Sequence, residues 1–567
     1  MKKLIASLLL VCLLTAVFTG CQSTPPANST PTPTDSSTPV ATPAEDMSET
    51  GTLNLVWFQG RGTDSLFENP WTDTQSLYPS MVFDTLVKVQ EDGKTFTPKL
   101  AKEWKVSDDG LTYTFILDEK AKWHDGTPFT EADVVFSING RLKSPKSTKG
   151  LYTNIVGATE VREGKADTIS GITSEPGIVT IKLTVPNSFF MQLMGTMHIL
   201  PSHLLKDVDP LEIDNYEAFW KKPIGTGPYR IDEVSFPNYF TVVRNDDYFG
   251  PRPGIRKALF TSYATGGNEA MIAAAVAGKV DYVYGNAVND INMAKNLESQ
   301  NTNLKMLMIP SGGGRTFWYN NVGSSDGKYV EALKKPEVRQ ALGLLIDKET
   351  IASFYAGQAS IMSASFINPL TPGYNTDIPL FKRDVAKAKQ MLTDAGFDFN
   401  STLRILYYYD DQTTADIMAL MKQTFAEAGV KVEPFLAQGD LASIIYEQRN
   451  WDMMYCAAGA TDTANAYLFL SPAGAVADKV LGDVEYRAKY TDMLNAYHAA
   501  SDDAGKQKVL KEIQIEGVKD AYASHVYALS KIVVYNKNKL QLDENVFKAD
   551  FQDGRDFRFE NWKLISK

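Results

Sequence analysis

The sequence of 567 residues contains little of the chemistry that enzymes and metal sites need. It has 5 histidines, and none of them pairs with another at the two-turn spacing of zinc sites. It also lacks a G-x-S-x-G nucleophile motif, a P-loop, and a G-x-G-x-x-G motif placed after a strand. Carboxylates are numerous, but no pair can be singled out as the acid and base of a glycosidase. The sequence therefore predicts no catalytic residue, no metal ligand and no cofactor.

Cysteine is almost absent, with 3 residues in the chain. Cys12 lies in an apolar N-terminal run, Cys21 follows that run, and Cys456 lies in an apolar stretch. We expect Cys12 to be removed with the N-terminal segment and Cys21 to be modified, so that no intramolecular disulfide can form. Cys456 is then predicted to be a core residue.

The N-terminus has the pattern of an export signal. Two lysines precede an apolar run over residues 4–18, which is short for a transmembrane helix of about 20 residues. Residues 1–20 are predicted to be a signal peptide. The residues up to Cys21 resemble a bacterial lipobox, with Phe18 in place of the usual leucine, so we expect Cys21 to be lipidated and to anchor the chain in a membrane. The alternative is an unmodified signal sequence that ends nearby.

Residues 21–50 are predicted to form a disordered tether after the lipidated cysteine. The segment consists almost entirely of Pro, Ser, Thr and Ala and has no aromatic residue. Such a composition cannot bury enough apolar surface to offset the entropy lost on ordering. We therefore expect this segment to hold a globular body away from the membrane surface.

The charge and length of the chain limit its partners and its architecture. The formal net charge is −11, and removal of the N-terminal lysines makes it more negative. This charge argues against nucleic acid and against anionic surfaces as partners. The body beyond the tether is too long for a single core, so at least two lobes are expected.

The most informative segment covers residues 101–137. Large apolar residues at 111, 113, 115 and 117 alternate with smaller or polar ones, which predicts a strand with one buried face. Thr130 and Asp133 form a capping-box variant that predicts the start of a helix. His124 lies in a turn, and we expect it to be hydrogen-bonded to nearby backbone rather than to a metal ion.

The spacing of apolar residues, together with glycine and proline at element ends, predicts further helices and strands. Helices are expected at 267–277, ended by Gly278, at 335–348 with Pro336 in the first turn, at 384–395, ended by Gly396, and at 414–428, ended by Gly429. A strand pair is expected over 230–243, and strands are expected at 403–408 and 431–434. Strand–helix–strand order over 403–434 predicts a parallel α/β sheet.

Several segments resemble family 5 of the extracellular solute-binding proteins, the peptide- and nickel-capturing subunits of ABC importers. In residues 101–137 the matching positions are Trp104, Ser107, Asp109, Gly110, Tyr113, Thr114, Phe115, His124, Asp125, Gly126, Pro128, Thr130, Asp133, Val134, Phe136 and Ser137. Residues 197–205, 223–229, 245–251 and 335–348 also resemble elements of the family. The resemblance covers residues 52–567.

The resemblance implies an α/β fold of the periplasmic-binding-protein type, with two lobes, a hinge and an extra α+β insert in the first lobe. Lobe I is expected to comprise residues 51–92, 221–315 and 532–567. The insert subdomain would cover 93–220 and lobe II 316–531. The first lobe is thus expected to be discontinuous and to include the C-terminal residues.

The resemblance also implies a ligand anchor. In peptide-binding members a strand ends in a run of small residues, and an aspartate just after it binds the α-ammonium of the ligand. Asp462 occupies this place here, preceded by Ala460 and Thr461. A buried ammonium requires a carboxylate partner, because an unpaired buried charge is very costly. The family's usual Asp-Pro is absent after this position, and a surface aspartate is the alternative.

Tyr408 and Tyr409 are the second group of candidate ligand contacts. They follow a predicted strand where, by resemblance, dipeptide binders place the residues that meet the ligand's carboxylate. An arginine would be expected there, but Asp410 and Asp411 follow instead. Longer peptides, or ligands with a cationic end, are therefore expected to fit better than a short peptide with its carboxylate at this loop. Capping of the next helix is the alternative role of Asp410.

Three further aromatic residues are candidates for lining the cleft. Trp57 and Phe58 end the first strand of the body, and Trp318 could line the cleft from the other lobe. Packing in the core or at the hinge is the alternative for these side chains.

The sequence is thus interpreted as a lipid-anchored, monomeric substrate-binding protein of an ABC importer. Its expected ligand is an oligopeptide, and its expected partners are a membrane permease and the associated ATPase subunits. A binding protein for oligosaccharides or a nickel chelate is the alternative within the same fold. A lipid-anchored surface hydrolase is the alternative from another class.

Overall fold

The chain is described here from a computed structural model. The structure describes residues 45–57, 67–71, 77–90, 95–143, 154–187, 190–263, 267–284, 291–309, 314–355, 357–362, 365, 367, 373–378, 382–441, 443–458, 484–500, 502–546 and 558–566. Residues 44–567 form one compact unit, and residues 1–43 are a separate unit outside the described ranges. The expected signal peptide, Cys21 and most of the tether lie in that separate unit.

The described residues form strands and helices in mixed order. The strands are β1 (Glu45–Asp46), β2 (Thr52–Trp57), β3 (Val87–Val89), β4 (Phe96–Pro98), β5 (Ala101–Val106), β6 (Thr112–Leu117), β7 (Ile172–Glu175), β8 (Ile178–Lys182), β9 (Tyr229–Ser235), β10 (Tyr239–Arg244), β11 (Lys257–Ser262), β12 (Tyr282–Val283), β13 (Leu304–Ile309), β14 (Gly314–Tyr319), β15 (Ala359–Ile361), β16 (Thr402–Tyr407), β17 (Lys431–Leu436), β18 (Met453–Ala458), β19 (Ala523–Leu529), β20 (Lys531–Asn536), β21 (Leu540–Gln541) and β22 (Lys563–Ser566).

The α-helices are α1 (Tyr78–Val82), α2 (Glu131–Lys143), α3 (Ala158–Arg162), α4 (Phe190–Thr196), α5 (Ser202–Leu205), α6 (Glu217–Trp220), α7 (Gly267–Val276), α8 (Ile291–Gln300), α9 (Pro336–Gly343), α10 (Lys348–Ser353), α11 (Val385–Asp394), α12 (Gln412–Glu427), α13 (Val484–Ala499) and α14 (Asp503–Asp520). In the described part of the chain, none of them is both long and apolar enough to cross a membrane.

Two large sheets divide the body. The first has seven strands in the order β13-β20-β12-β2-β11-β10-β9, with β2 parallel to both β11 and β12. The second has six strands in the order β15-β19-β14-β18-β16-β17. The second sheet uses only strands from β14 to β19, whereas the first takes β20 from the C-terminal part of the chain. The first sheet thus combines strands from distant parts of the chain, and the discontinuous first lobe stays a prediction.

A third, four-stranded antiparallel sheet lies between β4 and β9 in the chain, in the order β5-β6-β8-β7. Along β6 the buried positions alternate as expected, with Tyr113, Phe115 and Leu117 at 6%, 0% and 4% exposure. These side chains share a core with α2 and α4, separate from the cores of the two large sheets. This sheet and its helices are the α+β insert.

The helices and strands expected from periodicity are present, with one difference. The segment predicted as one helix over 335–348 consists of α9, which ends at Gly343, and α10, which begins at Lys348. The carboxylate of Asp347 accepts a hydrogen bond from the Thr350 amide at 3.0 Å and thereby caps α10. Leu345 and Ile346 are nevertheless buried, so the apolar stripe is correct although the helix is interrupted.

Asp133, near the start of α2, connects two of the segments that resemble the family, residues 101–137 and residues 197–205. Its Oδ2 accepts hydrogen bonds from the Thr130 amide at 2.9 Å and from the Trp123 indole at 3.2 Å. Its Oδ1 accepts from both the amide and the hydroxyl of Ser202, at 2.8 and 2.6 Å. The carboxylate is 2% exposed. Asp133, the acidic residue of the predicted capping box, is thus also a buried residue that links segments distant in sequence.

His124 joins the insert to the first lobe. The Gly225 amide donates to its Nδ1 at 3.1 Å, so Nδ1 carries no proton and Nε2–H donates to the Gly227 carbonyl at 2.9 Å. Gly225 also packs closely against the backbone of Val82. A Cβ at position 225 would lie 1.8 Å from the Val82 carbonyl oxygen, so only glycine fits there. The prediction that His124 bonds to backbone is confirmed, but that backbone lies about a hundred residues further along the chain.

We expect acid to destabilise the protein through His124. Burial lowers the pKa of His124 from 6.5 to about 4, so the folded state excludes a proton that the unfolded chain binds. Its contribution is fully present above pH 6.5 and is lost as the pH falls toward 4, by about 3 kcal/mol. Burial also lowers the pKa of His498 and His525, so these histidines contribute to the pH dependence as well. The effect of His124 alone is therefore measured as the difference between wild type and a His124 variant. The gap in unfolding free energy between wild type and His124→Asn should shrink by this amount from pH 7.5 to 4, and a constant gap would contradict the assignment.

Candidate ligand-binding site

The C-terminal ends of the parallel strands β16, β17 and β18 lie at one edge of the six-stranded sheet. β16 is parallel to β17 and β18, so their C-terminal ends lie together. β14 runs antiparallel to β18 and β19, so β14 begins and β19 ends at the same edge. The chain passes from β13 to β14 and from β19 to β20 here, which links this edge to the seven-stranded sheet. We name it the hinge edge. Ligands of open α/β sheets bind outside the carboxyl ends of the strands.

Five tyrosines line the hinge edge and form what we name the tyrosine cluster: Tyr355, Tyr408, Tyr409, Tyr455 and Tyr527. The Tyr527 hydroxyl lies 2.5 Å from the hydroxyls of both Tyr355 and Tyr455. The Tyr409 hydroxyl accepts a hydrogen bond from the Ala457 amide at 2.9 Å. The cluster is thus held by its own hydroxyl contacts and by β18.

Four of the five tyrosines are kept uncharged by their surroundings. Burial raises the pKa of the hydroxyl groups of Tyr355, Tyr408, Tyr455 and Tyr527. These hydroxyls therefore keep their protons at neutral pH and can both donate and accept hydrogen bonds. Tyr455 and Tyr527 are fully buried and their hydroxyls are paired with each other, so the half-buried Tyr355 and Tyr408 are the ones that can offer polar contacts without a negative charge.

Arg315 brings a positive charge to this cluster. Its guanidinium carbon lies 4.3 Å from the centroid of the Tyr409 ring, and the side chain is half-buried on β14. Its one hydrogen bond is to the Gly314 carbonyl, at 3.4 Å. In the part of the chain that the structure describes, no carboxylate lies within 4.0 Å of its guanidinium nitrogens. Among the residues that the structure describes, Arg315 is therefore a partly dehydrated cation without an ionic partner.

Arg315 is a residue that no sequence pattern connects with the loop after β16. The neighbouring strands bring it over the Tyr409 ring, although no arginine follows Tyr408 and Tyr409 in the sequence. The expectation that a ligand carboxylate is disfavoured at this loop stays a prediction. Asp411, not Asp410, caps α12, because its carboxylate accepts from the Thr414 amide at 2.9 Å. The one sequence signal for Arg315 is its position as a lone charge at the start of an apolar strand.

The other aromatic candidates are buried. Trp57 is 5% exposed and packs edge-on against Phe240, with ring centroids 5.1 Å apart, in the core of the first lobe. Trp318 is 4% exposed and packs with Met454 in the core of the second lobe. These surroundings fit the alternative stated for both residues, which is packing in the core. A contact of either side chain with ligand stays a prediction.

Four of the predicted ligand contacts, Phe58, Ala460, Thr461 and Asp462, lie outside the described residues. β18 ends at Ala458, shortly before three of them. Their roles stay predictions. Cys456, near the end of β18, is a buried free thiol as expected, and burial raises its pKa to about 12.

A cavity of about 940 Å³ lies at the opposite edge of the six-stranded sheet and is lined in part by Thr402, the first residue of β16. Its arginine, Arg404, is paired with Asp326 at 2.6 Å and with Asp452 at 3.2 Å. Because these charges are satisfied within the protein and the cavity is remote from both chain crossings, we place the candidate site at the hinge edge. Within the described ranges, no group of three His, Cys, Asp or Glu side chains could hold a metal ion.

Comparisons with known proteins agree with this architecture. Residues 95–479, more than half of the chain, match the family described as bacterial extracellular solute-binding proteins, family 5 Middle. A protein of Brucella ovis, provisionally named an ABC transporter peptide-binding protein, is 29% identical over 373 residues. That match covers 65% of this chain and 65% of the relative, just under two thirds of its length. The oligopeptide-binding protein AppA of Bacillus subtilis is 25% identical over 410 residues, covering 69% of this chain and 70% of AppA.

Solved structures show the same fold. The structure of Bacillus subtilis AppA in complex with a nonapeptide has a TM-score of 0.69 at 21% identity, covering 92% of this chain and 100% of AppA. The structure of NikZ from Campylobacter jejuni in complex with Ni(L-His) has a TM-score of 0.67 at 22% identity, covering 90% and 99%. Both are similar in fold to this chain, which has the two-lobed architecture of periplasmic binding proteins. The chain belongs to family 5 of the bacterial extracellular solute-binding proteins.

Proposed function

We propose that the chain is the substrate-binding component of an ABC importer, which captures extracellular oligopeptides and delivers them to a membrane permease. The observation that carries the proposal is the hinge edge. The two chain connections between the large sheets, from β13 to β14 and from β19 to β20, lie at this edge together with the tyrosine cluster and Arg315. Hinge closure around a ligand is the movement known for periplasmic binding proteins. A ligand that contacts both lobes favours the closed form, and the closed form then docks on the permease.

The lobes of this proposal follow the boundaries given by sequence. Residues 51–92, 221–315 and 532–567 form lobe I, residues 93–220 the insert, and residues 316–531 lobe II. The membership of the three larger sheets supports these boundaries to within a few residues. The two chain crossings between the lobes are then the hinge.

An oligopeptide is the ligand class that the hinge edge supports best. Tyrosine hydroxyls that donate and accept can bond to peptide amides and carbonyls without selecting one side chain. Asp462 would bind the α-ammonium, and Trp57, Phe58 and Trp318 would add apolar contact. The names of the Brucella and Bacillus relatives point to the same class. A nickel chelate is the alternative suggested by the similarity to NikZ.

We further propose that the protein is exported, carries a lipid on Cys21 and acts as a monomer on the outer face of the cell membrane. The signal pattern, the lipobox resemblance and the Ser/Thr/Pro composition of residues 21–50 support this placement. The family is one of binding proteins, so we infer that ligand is bound without turnover. The permease and its ATPase subunits supply the energy and the pathway.

A thermal melting assay tests the ligand class. The compact unit, residues 44–567, is unfolded and refolded to remove carried ligand, and is then melted with peptides, oligosaccharides or nickel chelates. A ligand at 100 times its dissociation constant adds about 2.7 kcal/mol of stability, enough to shift the melting temperature visibly. We expect peptides of four or more residues to produce this shift.

Variants test the proposed anchor in the same assay. Asp462→Ala should abolish the shift produced by peptides, whereas Asp108→Ala, which removes an exposed carboxylate before β6 and away from the hinge edge, should leave it unchanged. A shift with sugars or metal chelates alone would leave the fold intact but contradict the ligand class. Turnover of a peptide or glycoside by the pure protein would contradict the binding role.

A further inference from the structure

We propose that Gln358 is a positioning residue of the hinge. Its side chain keeps the Ser530 peptide group in lobe II and thereby confines the bending of this crossing to Lys531. This role rests on the proposed function, in which the two lobes close around a peptide. It gives a task to a residue outside the predicted ligand contacts, and it connects Tyr355 of the hinge edge to the hinge itself.

The crossing from lobe II to lobe I is very short. β19 of the six-stranded sheet ends at Leu529 and β20 of the seven-stranded sheet begins at Lys531, so at this crossing Ser530 alone connects the two sheets. On the side of lobe I, Lys531 already pairs with Ile309 of β13. The other crossing, residues 310–313, lies outside the described residues. A change in the angle between the sheets must therefore be absorbed here by the backbone torsions of a few residues.

Gln358 forms the last rung of the ladder that holds Ser530 to the six-stranded sheet. β15 pairs with β19 in antiparallel register, and the same register places Gln358 opposite Ser530. The Ser530 amide donates to the Gln358 carbonyl at 3.0 Å. The reciprocal bond comes from the side chain, because Nε2 of Gln358 donates to the Ser530 carbonyl at 2.9 Å. Both the amide and the carbonyl of Ser530 are thus bonded to one residue of lobe II.

The side chain of Gln358 takes the place of its backbone amide in this rung, because that amide has another partner. The amide donates to the Tyr355 carbonyl at 2.9 Å and closes a tight turn, in which Gly357 has a φ of 96°. Tyr355 belongs to the tyrosine cluster, where its hydroxyl contacts that of Tyr527. One short turn therefore joins a residue of the candidate site to the residue that holds the crossing.

Burial makes the side-chain bond a firm constraint on the hinge. Gln358 is 3% exposed, so breaking the bond would cost its amide an acceptor that water cannot replace. The Ser530 carbonyl belongs to the peptide group that precedes Lys531. With this group held in lobe II, rotation is left to the N–Cα bond of Lys531 and to the residues after it. A crossing with one bending point has few closed arrangements to select from, which favours tight binding of ligand.

The test compares wild type with Gln358→Met, Gly357→Ala and the control Gln340→Met. Methionine keeps the length of glutamine but donates nothing. Gly357→Ala keeps the donor and strains the turn, because φ of 96° is unfavourable for alanine although its Cβ would meet no atom within 4 Å. Gln340 also donates to a backbone carbonyl, that of Lys519 at 2.7 Å, but it lies on α9, away from the hinge edge.

Single-molecule fluorescence energy transfer measures the distance between the lobes. Dyes are attached through Asn296→Cys on α8 of lobe I and Lys387→Cys on α11 of lobe II, both at exposed positions. The chain from residue 21 onward carries Cys21→Ser, and Cys456 is buried and stays unlabelled. Refolding removes carried ligand, and a pooled hexapeptide library is then added. The release of peptide is followed after dilution.

We expect wild type to show two distances between the lobes, with peptide favouring the shorter one. Gln358→Met should broaden the shorter distance and release peptide about 5-fold faster, the factor that one hydrogen bond typically contributes. Gly357→Ala should change both quantities in the same direction by a smaller amount. Gln340→Met should match wild type. Both methionine variants lose one hydrogen bond of lobe II, so a purely structural role would make them behave alike.

Two results would overturn the proposal in distinguishable ways. If peptide shortens the distance in wild type but Gln358→Met releases peptide as Gln340→Met does, hinge closure stands and the role of Gln358 is wrong. If Gln358→Met does not fold, Gly357→Ala decides, and release at the wild-type rate contradicts the role. If peptide leaves the distance in wild type unchanged, the proposed function itself fails, and the role of Gln358 fails with it.

Discussion

Replacing Arg339 with methionine is expected to lower the unfolding free energy of the second lobe by about 5 kcal/mol. The guanidinium group is 1% exposed and lies at the C-terminal end of α14. It donates to the carbonyls of Asp520 and Ala521, and to those of Leu333 at 2.8 Å and Lys334 at 3.0 Å. Methionine fills similar volume but donates nothing, so these buried carbonyls would lose their partners.

The position of Arg339 explains the size of this effect. The last carbonyls of a helix have no partner within the helix and carry its negative dipole end, so a cation there is doubly favourable. Ala521 follows α14 in the left-handed region, with φ of 48°, and Arg339 also stacks over the Tyr522 ring at 4.9 Å. One side chain thus joins α9 to the end of α14 and the start of β19.

Hydrogen exchange measured by mass spectrometry in increasing urea checks this prediction. Arg339→Met should lose protection in α9, α14 and β19, while the four-stranded sheet keeps its protection. The control is Arg383→Met, which removes a surface ion pair with Glu427 and should change stability by no more than about 1 kcal/mol. Equal behaviour of the two variants would show that the buried arginine contributes no more than a surface one.

Replacing Asp133 with asparagine should lower the unfolding free energy of the insert by about 4 kcal/mol. The carboxylate accepts hydrogen bonds from four donors, which belong to Thr130, Trp123 and Ser202. An amide keeps the shape but replaces one accepting oxygen with a donor, so N–H would face N–H or O–H in a buried position. The remaining bonds would also lose the contribution of the negative charge.

The effect of Asp133→Asn should appear first in the insert. Exchange protection should fall in α2, in the turn that contains Trp123, and at the start of α5, while the six-stranded sheet is unaffected. Asp109→Asn is the matched control in the same signature, because Asp109 is an exposed turn residue that accepts from the Leu111 amide at 3.0 Å. The control should unfold as wild type does. A loss of protection spread evenly over the molecule would contradict the local role of Asp133.

Local elements of this protein could be predicted from sequence because their signals are local. The alternation along β6, the caps Asp384 and Gly396 around α11, and the end of α12 at Gly429 all depend on residues within a few positions of one another. The break between α9 and α10 was missed because the apolar stripe continues through it. The cap by Asp347 was the signal that could have revealed it.

The candidate site was harder to predict because its parts are distant in sequence. Arg315 and Tyr409 come together because β18 lies between β14 and β16, and no local pattern encodes that strand order. His124 and Gly225 are separated by 101 residues in the same way. The family resemblance predicted the lobes, but it gave no reason to expect an arginine on β14.

The strand order of the first sheet has a consequence for the synthesis of the protein. Asn303, just before β13, pairs through its side chain with Asn538, after β20, across 235 residues. At about 5–20 residues per second, β13 waits roughly 10–50 s after its own synthesis for β20, with an unpaired edge that other chains can reach. The strands of the second sheet are all made within that interval. The first lobe therefore begins to form first and is completed last, when β20 pairs with β12 and β13.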